Sequence, residues 1–397
     1  MPDGDDTVAM RACLAGLGVA IEGGEGTVVV AGTGGRLRPR PYTILHAGLA
    51  GTTSRFVTAL AALAPVGVVV DGHAPLRTRP MAELHEALSE LGAGVEPGER
   101  TGHLPVRVTG PLTSGGTVRM AGDVSSQFIT ALMLIAPSLS GGVRIELTTP
   151  LVSGPYIRLT AAVMSAFGVG GVEISERHVA VPTGAYVGRR YEIEPDASSA
   201  SYPLALAAVC GGRVTVPGLG ADSLQGDWAI VDLLGRMGCD VDLETDQATV
   251  SRPADQPLGG LDVDMADVSD LVPTVATVAT LATTPSVIRG VGFIRAKESD
   301  RLGDLAAELR KVGADIEVTE DGLRIEPVPR ERLYGATLDT HHDHRLAMAF
   351  AVAGAVVDGV EVADPDVVSK SWPGFWAAYE RALRPPVLGS PAHRNGG

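Results

Sequence analysis

The sequence predicts an α/β protein of two similar lobes, each assembled from three copies of one α/β unit. Two interleaved periodicities carry that prediction. Short polar segments open apolar, helix-like runs at intervals of about 71 to 73 residues: Thr52-Thr53-Ser54-Arg55, Ser125-Ser126-Gln127, Ser198-Ser199, Ser269-Asp270 and His342-Asp343-His344-Arg345. A second series of apolar-periodic helices ends in a hydrophobic residue plus glycine, at Gly18, Gly92, Gly168, Gly238 and Gly313. Repetition at a fixed period is the signature of a repeated supersecondary unit.

Each element has its own warrant. Met81–Gly92, Leu159–Gly168, Ile230–Gly238 and Leu302–Gly313 place apolar residues at i, i+3, i+4 and i+7, and the closing glycine supplies a left-handed cap. β-branched or alternating stretches follow, at Val95-Glu96, Val241–Leu243 and Ile316–Val318, and read as strands. The polar openings lead into Phe128–Ile145 and Tyr202–Val216, a helical run and then a β-branched stretch in each case. One unit thus holds two helices and three or four strands. The series divides near Arg190–Asp196, so the expected lobes are residues 1–193 and 194–383, with a disordered tail at 384–397. Stepping back one period from Thr52 lands about 20 residues before Met1, so the first unit is expected to be incomplete.

Bulk properties narrow the function. With 45% apolar and 20% charged residues the chain is globular rather than disordered. No apolar run approaches the roughly 18 residues that span a bilayer, and the acidic opening MPDGDDT is unlike a targeting segment. A cytoplasmic protein is expected. A net charge of −15 argues against nucleic acid or an anionic membrane as partner. Cys13, Cys210 and Cys239 sit in apolar helix or turn contexts, without spacing for a metal or a disulfide framework. Buried structural thiols are expected, and no metal.

The polar openings point to anion binding, because a helix start offers free N–H groups and a positive dipole end. In an acidic protein such a site also needs a local cationic patch. The segments GLAGTTSRF (48–56), LRTRPM (76–81), SSQF (125–128), SGPYI (153–157), EPDASSASY (194–202), KESDRL (297–302), HDHRLAM (342–348) and SKSWP (369–373) supply one. In that order they resemble the 3-phosphoshikimate 1-carboxyvinyltransferases of the enolpyruvyl transferase family, from about Asp5 to Trp376. The resemblance implies a two-lobed inside-out α/β barrel of βαβαββ units. It implies transfer of the enolpyruvyl group of phosphoenolpyruvate to the 5-hydroxyl of shikimate 3-phosphate, with release of phosphate. It implies no cofactor, and the expected state is a monomer.

The resemblance also implies roles. Gly51, Arg79, Gln127, Arg301, Arg345 and Lys370 would contact phosphoenolpyruvate; planar guanidinium forks suit its oxyanions. Ser125, Ser126, Gln127, Ser153, Tyr156, Asp270 and Lys297 would contact shikimate 3-phosphate. Asp270, at a helix start whose dipole favours its ionised form, would be the base, and Glu298 the proton donor to the methylene carbon. The cations around Glu298 oppose a raised pKa, so it is expected to become a good acid only once substrate anions are bound. Arg55 and Arg295 are divided between anion contact and structural pairing, and His344 reads as scaffold. The chain departs from the family in two places: a Gly-Ser-Lys-Ser-x-x-Asn-Arg helix start is not in it, and Phe293 stands where Asn is common. A non-catalytic paralogue that binds shikimate-type anions and a secondary-pathway enolpyruvyl transferase are the alternatives. The branch acting on UDP-N-acetylglucosamine is disfavoured, since none of the three cysteines lies in a mobile loop.

Overall fold

The computed structural model describes residues 4–24 and 26–384, so the tail expected at 384–397 lies outside them from residue 385 on. Six units follow one another along the chain. The first comprises α1 (Asp5–Gly16), β1 (Ala20–Gly23) and β2 (Val28–Ala31). The second runs β3 (Ile44–His46), α2 (Gly51–Ala61), β4 (Val68–Asp71), a short α3 (Ala74–Arg77), α4 (Ala82–Glu90), β5 (Gly94–Pro97) and β6 (Val106–Thr109). The third runs β7 (Ser114–Met120), α5 (Ser126–Ile135), β8 (Ser140–Leu147), α6 (Gly154–Ala166), β9 (Glu173–Ile174) and β10 (His178–Val181). The fourth holds α7 (Ala197–Cys210), β11 (Gly212–Pro217), α8 (Ile230–Arg236), β12 (Asp240–Leu243) and β13 (Gln247–Arg252). The fifth is β14 (Asp262–Asp264), α9 (Val272–Ala279), β15 (Ser286–Arg289), α10 (Gly303–Lys311), β16 (Asp315–Val318) and β17 (Leu323–Glu326). The last holds β18 (Thr337–Leu338), α11 (His344–Gly354), β19 (Glu361–Val362) and α12 (Phe375–Leu383).

The second, third and fifth units share one sheet order: β3-β4-β6-β5, β7-β8-β10-β9 and β14-β15-β17-β16. In each, the first two strands pair parallel across a helical crossover, and the last two add antiparallel as a hairpin. That is the βαβαββ unit. The first unit contributes the antiparallel pair β1-β2 and the last the parallel pair β18-β19.

Helices opened by the polar segments lie innermost. In the second lobe α7, α9 and α11 pack against one another, and in the first α2 packs on α5. All eight residues of α9 are buried, and α7 and α11 are apolar nearly all round, as helices enclosed by sheets must be. Two apolar cores result, one built from Cys13 to Val181 and the other from Ala197 to Phe375. The outer helices end as the glycines demand: Gly18, Gly92, Gly168, Gly238 and Gly313 have φ of 88°, 104°, 93°, 102° and 91°. Helix α6 starts five residues ahead of the expected Leu159, because Pro155 occupies its first turn without needing a donor. Among the described residues no helix is long and apolar enough to cross a membrane.

Candidate active site

The starts of α2 and α5 are tied together by side chains one repeat apart. Arg55 donates to Gln127 Oε1, and Gln127 Nε2 donates to Thr52 Oγ1 at 3.0 Å. Ser125 caps α5 by accepting from the Gln127 N–H at 3.3 Å, and Ser126 is buried in its first turn. Gly51 opens α2 against two guanidiniums: a Cβ there would meet Arg79 Nη1 at 2.6 Å and Arg55 Nη1 at 2.9 Å. Only glycine lets both approach this closely. Burial, then repulsion from Arg79, pulls Arg55 down to about 9, so it still carries its charge at neutral pH. Among the described residues its hydrogen-bonding partner is the neutral Gln127, so two buried cations face one spot with one carboxylate, Glu298, near them.

Facing them, the second lobe supplies a lattice of charges. Glu298 accepts from Arg79 at 3.1 Å across the cleft and from Arg301 at 2.7 Å, with Lys370 at 3.5 Å. Asp270 accepts from Arg301 and Arg345 at 2.9 Å each, and Lys297 stands 3.8 Å away. Arg301 is 1% exposed, and its Nε and Nη2 also donate to Asp343 at 2.6 and 3.3 Å. Asp343 also caps α11, accepting from the Arg345 N–H at 2.9 Å. Lys370 donates to Asp6 at 2.7 Å, joining the start of α1 to the same group. Six cations (Arg55, Arg79, Lys297, Arg301, Arg345, Lys370) thus meet four carboxylates (Asp6, Asp270, Glu298, Asp343). The excess is positive in a protein of net charge −15.

Burial alone would raise the pKa of Glu298, but Arg79, Arg301 and Lys370 hold it well below the ordinary carboxylate range. Asp270 is likewise depressed: Arg345, Lys297 and Arg301 overcome its burial. The sequence reading credited a helix dipole with the ionisation of Asp270. Instead it lies in a single 3-10 turn, Ser269–Leu271, ahead of α9, and full charges at 2.9 Å outweigh a dipole end of about half a charge. Lys297 lies 5.9 Å from the Phe293 ring, a cation–π contact in place of a polar side chain. His344 is pushed down to about 3, first by burial and then by Lys370, so its imidazole is neutral at physiological pH. Arg295 pairs with Asp300 at 3.2 Å, the structural alternative of its two readings.

Ser153 and Tyr156 are at the junction of the lobes. Ser153 adopts a left-handed φ of 56°, and its N–H donates to the Ala266 carbonyl at 3.2 Å. The Gly154 N–H donates to Asp267 at 3.0 Å, and the Tyr156 hydroxyl donates to Asp227 at 2.9 Å. The structure therefore brings Gly51, Arg79, Gln127, Glu298, Asp270, Lys297, Arg301, Arg345 and Lys370 into one continuous set of contacts, with Ser125 and Ser126 at its first-lobe margin. Ser153 and Tyr156 join it through the second-lobe segments they touch. Sequence reasoning missed Asp6, Asp227 and Asp343 as partners of these side chains. Asp343 stands inside a segment already singled out, whereas Asp6 and Asp227 sit in stretches with no pattern to mark them. Among the described residues no group of three or more His, Cys, Asp or Glu is placed to hold a metal ion.

Paired α/β lobes with buried helices inside, sheets outside and a cation-rich junction define the inside-out α/β domain pair. The chain belongs to the EPSP synthase (3-phosphoshikimate 1-carboxyvinyltransferase) family, whose model matches residues 1–378. It is 42% identical over 374 residues to the 3-phosphoshikimate 1-carboxyvinyltransferase of Methanoculleus marisnigri, covering 94% of this chain and 87% of that one. The enzyme of that name from Methanosphaerula palustris is 41% identical over 376 residues, covering 94% and 88%. Among solved structures, EPSP synthase from Acinetobacter baumannii superposes with a TM-score of 0.78 at 26% identity, covering 96% of this chain and 88% of that one.

Proposed function

We propose that this protein transfers the enolpyruvyl group of phosphoenolpyruvate to the 5-hydroxyl of shikimate 3-phosphate and releases inorganic phosphate. Family membership supports the reaction. The observation that carries it to this chain is the excess of buried cations around Glu298 and Asp270, which asks for an anion to complete it. Arg79, Arg301, Arg345 and Lys370 grip phosphoenolpyruvate, with Gly51 and Gln127 lining the approach. Ser125, Ser126, Gln127, Ser153, Tyr156, Asp270 and Lys297 hold shikimate 3-phosphate.

The chemistry follows from the two carboxylates. Glu298 gives a proton to the methylene carbon of phosphoenolpyruvate, which makes the neighbouring carbon electrophilic. The 5-hydroxyl oxygen bonds to that carbon and its proton passes to Asp270, whose basicity recovers as the substrate anions draw Arg301 and Arg345 away from it. Loss of phosphate, which takes up the proton held by Asp270, and return of a methyl proton to Glu298 then restore the double bond. Glu298 must first acquire a proton, and the substrate supplies the means. Once phosphate and carboxylate oxygens engage Arg79, Arg301 and Lys370, those cations no longer hold Glu298 ionised, and its pKa rises.

The test is phosphate release by the purified chain with each substrate alone and with both. Release that requires both supports the reading. Tight binding of both substrates without release would instead identify a non-catalytic anion binder.

A further inference from the structure

Among the described residues, Asp227 is a buried carboxylate with no cation bonded to it. It is 2% exposed, in the turn Gly226–Ala229 that leads into α8, and its bonding partners are two neutral hydroxyls. Tyr156 of α6 donates to Oδ1 at 2.9 Å, and Ser198, in the first turn of α7, donates to Oδ2. Burying a carboxylate on hydroxyl partners is costly, and an asparagine of the same shape would fold at less cost. Such an expense at a lobe junction points to a working group.

The surroundings fit tightly. A Cβ on Gly226 would stand 2.6 Å from the Pro155 side chain, so the Gly226-Asp227 pair is moulded onto the Pro155-Tyr156 pair of the other lobe. Ser153 and Gly154 bond to Ala266 and Asp267 beside them. Asp227 is therefore the one side chain among these that bonds both the start of α6 and the start of α7.

Resting on the proposed reading that Tyr156 contacts the acceptor, we infer that Asp227 is a positioning residue that fixes the Tyr156 hydroxyl for shikimate 3-phosphate. It touches no reacting atom. Burial, then the like charge of Asp270, raises Asp227 to about 6, with Arg345 and the Ser198 and Tyr156 hydroxyls opposing. As the pH falls through that value one lone pair is taken up by a proton, and the grip on two donors weakens.

The experiment compares the full chain with Asp227→Asn, Tyr156→Phe and the double variant, by calorimetry with shikimate 3-phosphate and by phosphate-release kinetics. The expected result is an acceptor Kd and KM raised about 10- to 100-fold in Asp227→Asn, the worth of a hydrogen bond to a charged group. KM for phosphoenolpyruvate and kcat at saturating acceptor should stay within about threefold, and the double variant should be no worse than Tyr156→Phe. If Asp227→Asn does not fold, the acid limb decides: acceptor KM should climb below about pH 6 more steeply in the wild type than in Tyr156→Phe. The acceptor phosphate titrates in the same range, so the difference between the two chains is the readout. Wild-type binding with unchanged variants, additive losses, equal rises in both KM values, or equal acid limbs would overturn this inference alone. Absence of acceptor binding by the wild type would overturn the proposed function and this inference with it.

Discussion

Arg79 and Glu298, 219 positions apart and on different lobes, form a hydrogen-bonded ion pair at 3.1 Å. Glu298 thus occupies part of the cationic surface that the proposed substrate anion would need. On the proposed function one side chain would have two opposed effects: it would compete with phosphoenolpyruvate for Arg79, Arg301 and Lys370, and supply the proton once displaced. Glu298→Gln should lower kcat by about 10²- to 10⁴-fold, the usual worth of a general acid, while phosphoenolpyruvate binds as tightly as before or more so. Phosphate-release kinetics and calorimetry read the two quantities separately. Loss of binding in parallel with kcat would contradict the double role.

Gly51 offers a steric test of the anion site. An alanine methyl at this position would stand within 3 Å of both Arg79 Nη1 and Arg55 Nη1. These are the tips of flexible side chains, so the fold can accommodate the methyl group by moving them. Gly51→Ala is expected to leave the melting temperature nearly unchanged and to raise KM for phosphoenolpyruvate at least tenfold, since the displaced guanidiniums no longer converge. A large loss of thermal stability with unchanged KM would show that the glycine serves packing only.

The fold was legible because its periodicity is carried by single residues with strong local consequences. Gly92 and Gly238 end their helices with positive φ as their sequence context requires, and Val95-Glu96, Val241–Leu243 and Ile316–Val318 lie inside β5, β12 and β16. Gln127, Asp270 and Arg345 fall in helix-start segments that the periodicity marks, whereas Arg79, Lys297, Glu298, Arg301 and Lys370 are reached only through the family resemblance of LRTRPM, KESDRL and SKSWP. The candidate site was not legible at Asp6 and Asp227, whose importance lies wholly in what they touch. Asp6 meets Lys370 at a separation of 364 residues, and Asp227 meets Tyr156 at 71. No local pattern encodes a long-range partner. The source of Asp270's ionisation was misread for the same reason, since a dipole is a local cause and Arg345 and Arg301 are distant ones.

Lys370 is 7% exposed and shared between Asp6 at 2.7 Å and Glu298 at 3.5 Å. Removing it leaves those two carboxylates short of a counter-charge and removes a point charge from the anion site. Lys370→Gln should cost about 2 to 5 kcal/mol of phosphoenolpyruvate binding, a loss of roughly 30- to several-thousand-fold in Kd. Adding Asp6→Asn should recover part of that loss, because the unpaired carboxylate then no longer repels the substrate. Titration of both variants with phosphoenolpyruvate checks the sign. Equal affinity in the single and double variants would remove Asp6 from the site.

Two buried histidines set the acid side of stability. Burial lowers His85 to about 4 and His344 to about 3, against about 6.5 for an unfolded chain. Below pH 6.5 the unfolded state therefore takes up protons that the folded state refuses, and stability falls with pH until the folded values are reached. Between pH 7.5 and 5 each histidine withdraws about 2 kcal/mol by this linkage. Asp227, raised to about 6, acts with the opposite sign: its folded form protonates first and returns roughly 1 kcal/mol over the same interval. The depressed Glu298 and Asp270 contribute only at lower pH, since their loss begins near the unfolded carboxylate value. Denaturant unfolding at pH 7.5 and pH 5 should accordingly show a net drop smaller than the roughly 4 kcal/mol of the two histidines, because Asp227, Asp6 and Glu83, all raised by burial, return part of it. His85 lies on α4, and none of the charged cluster is among the groups that shift it, so His85→Gln should shrink that drop by about 2 kcal/mol without altering substrate binding. An unchanged drop in His85→Gln would mean that its imidazole is protonated without cost in the folded protein.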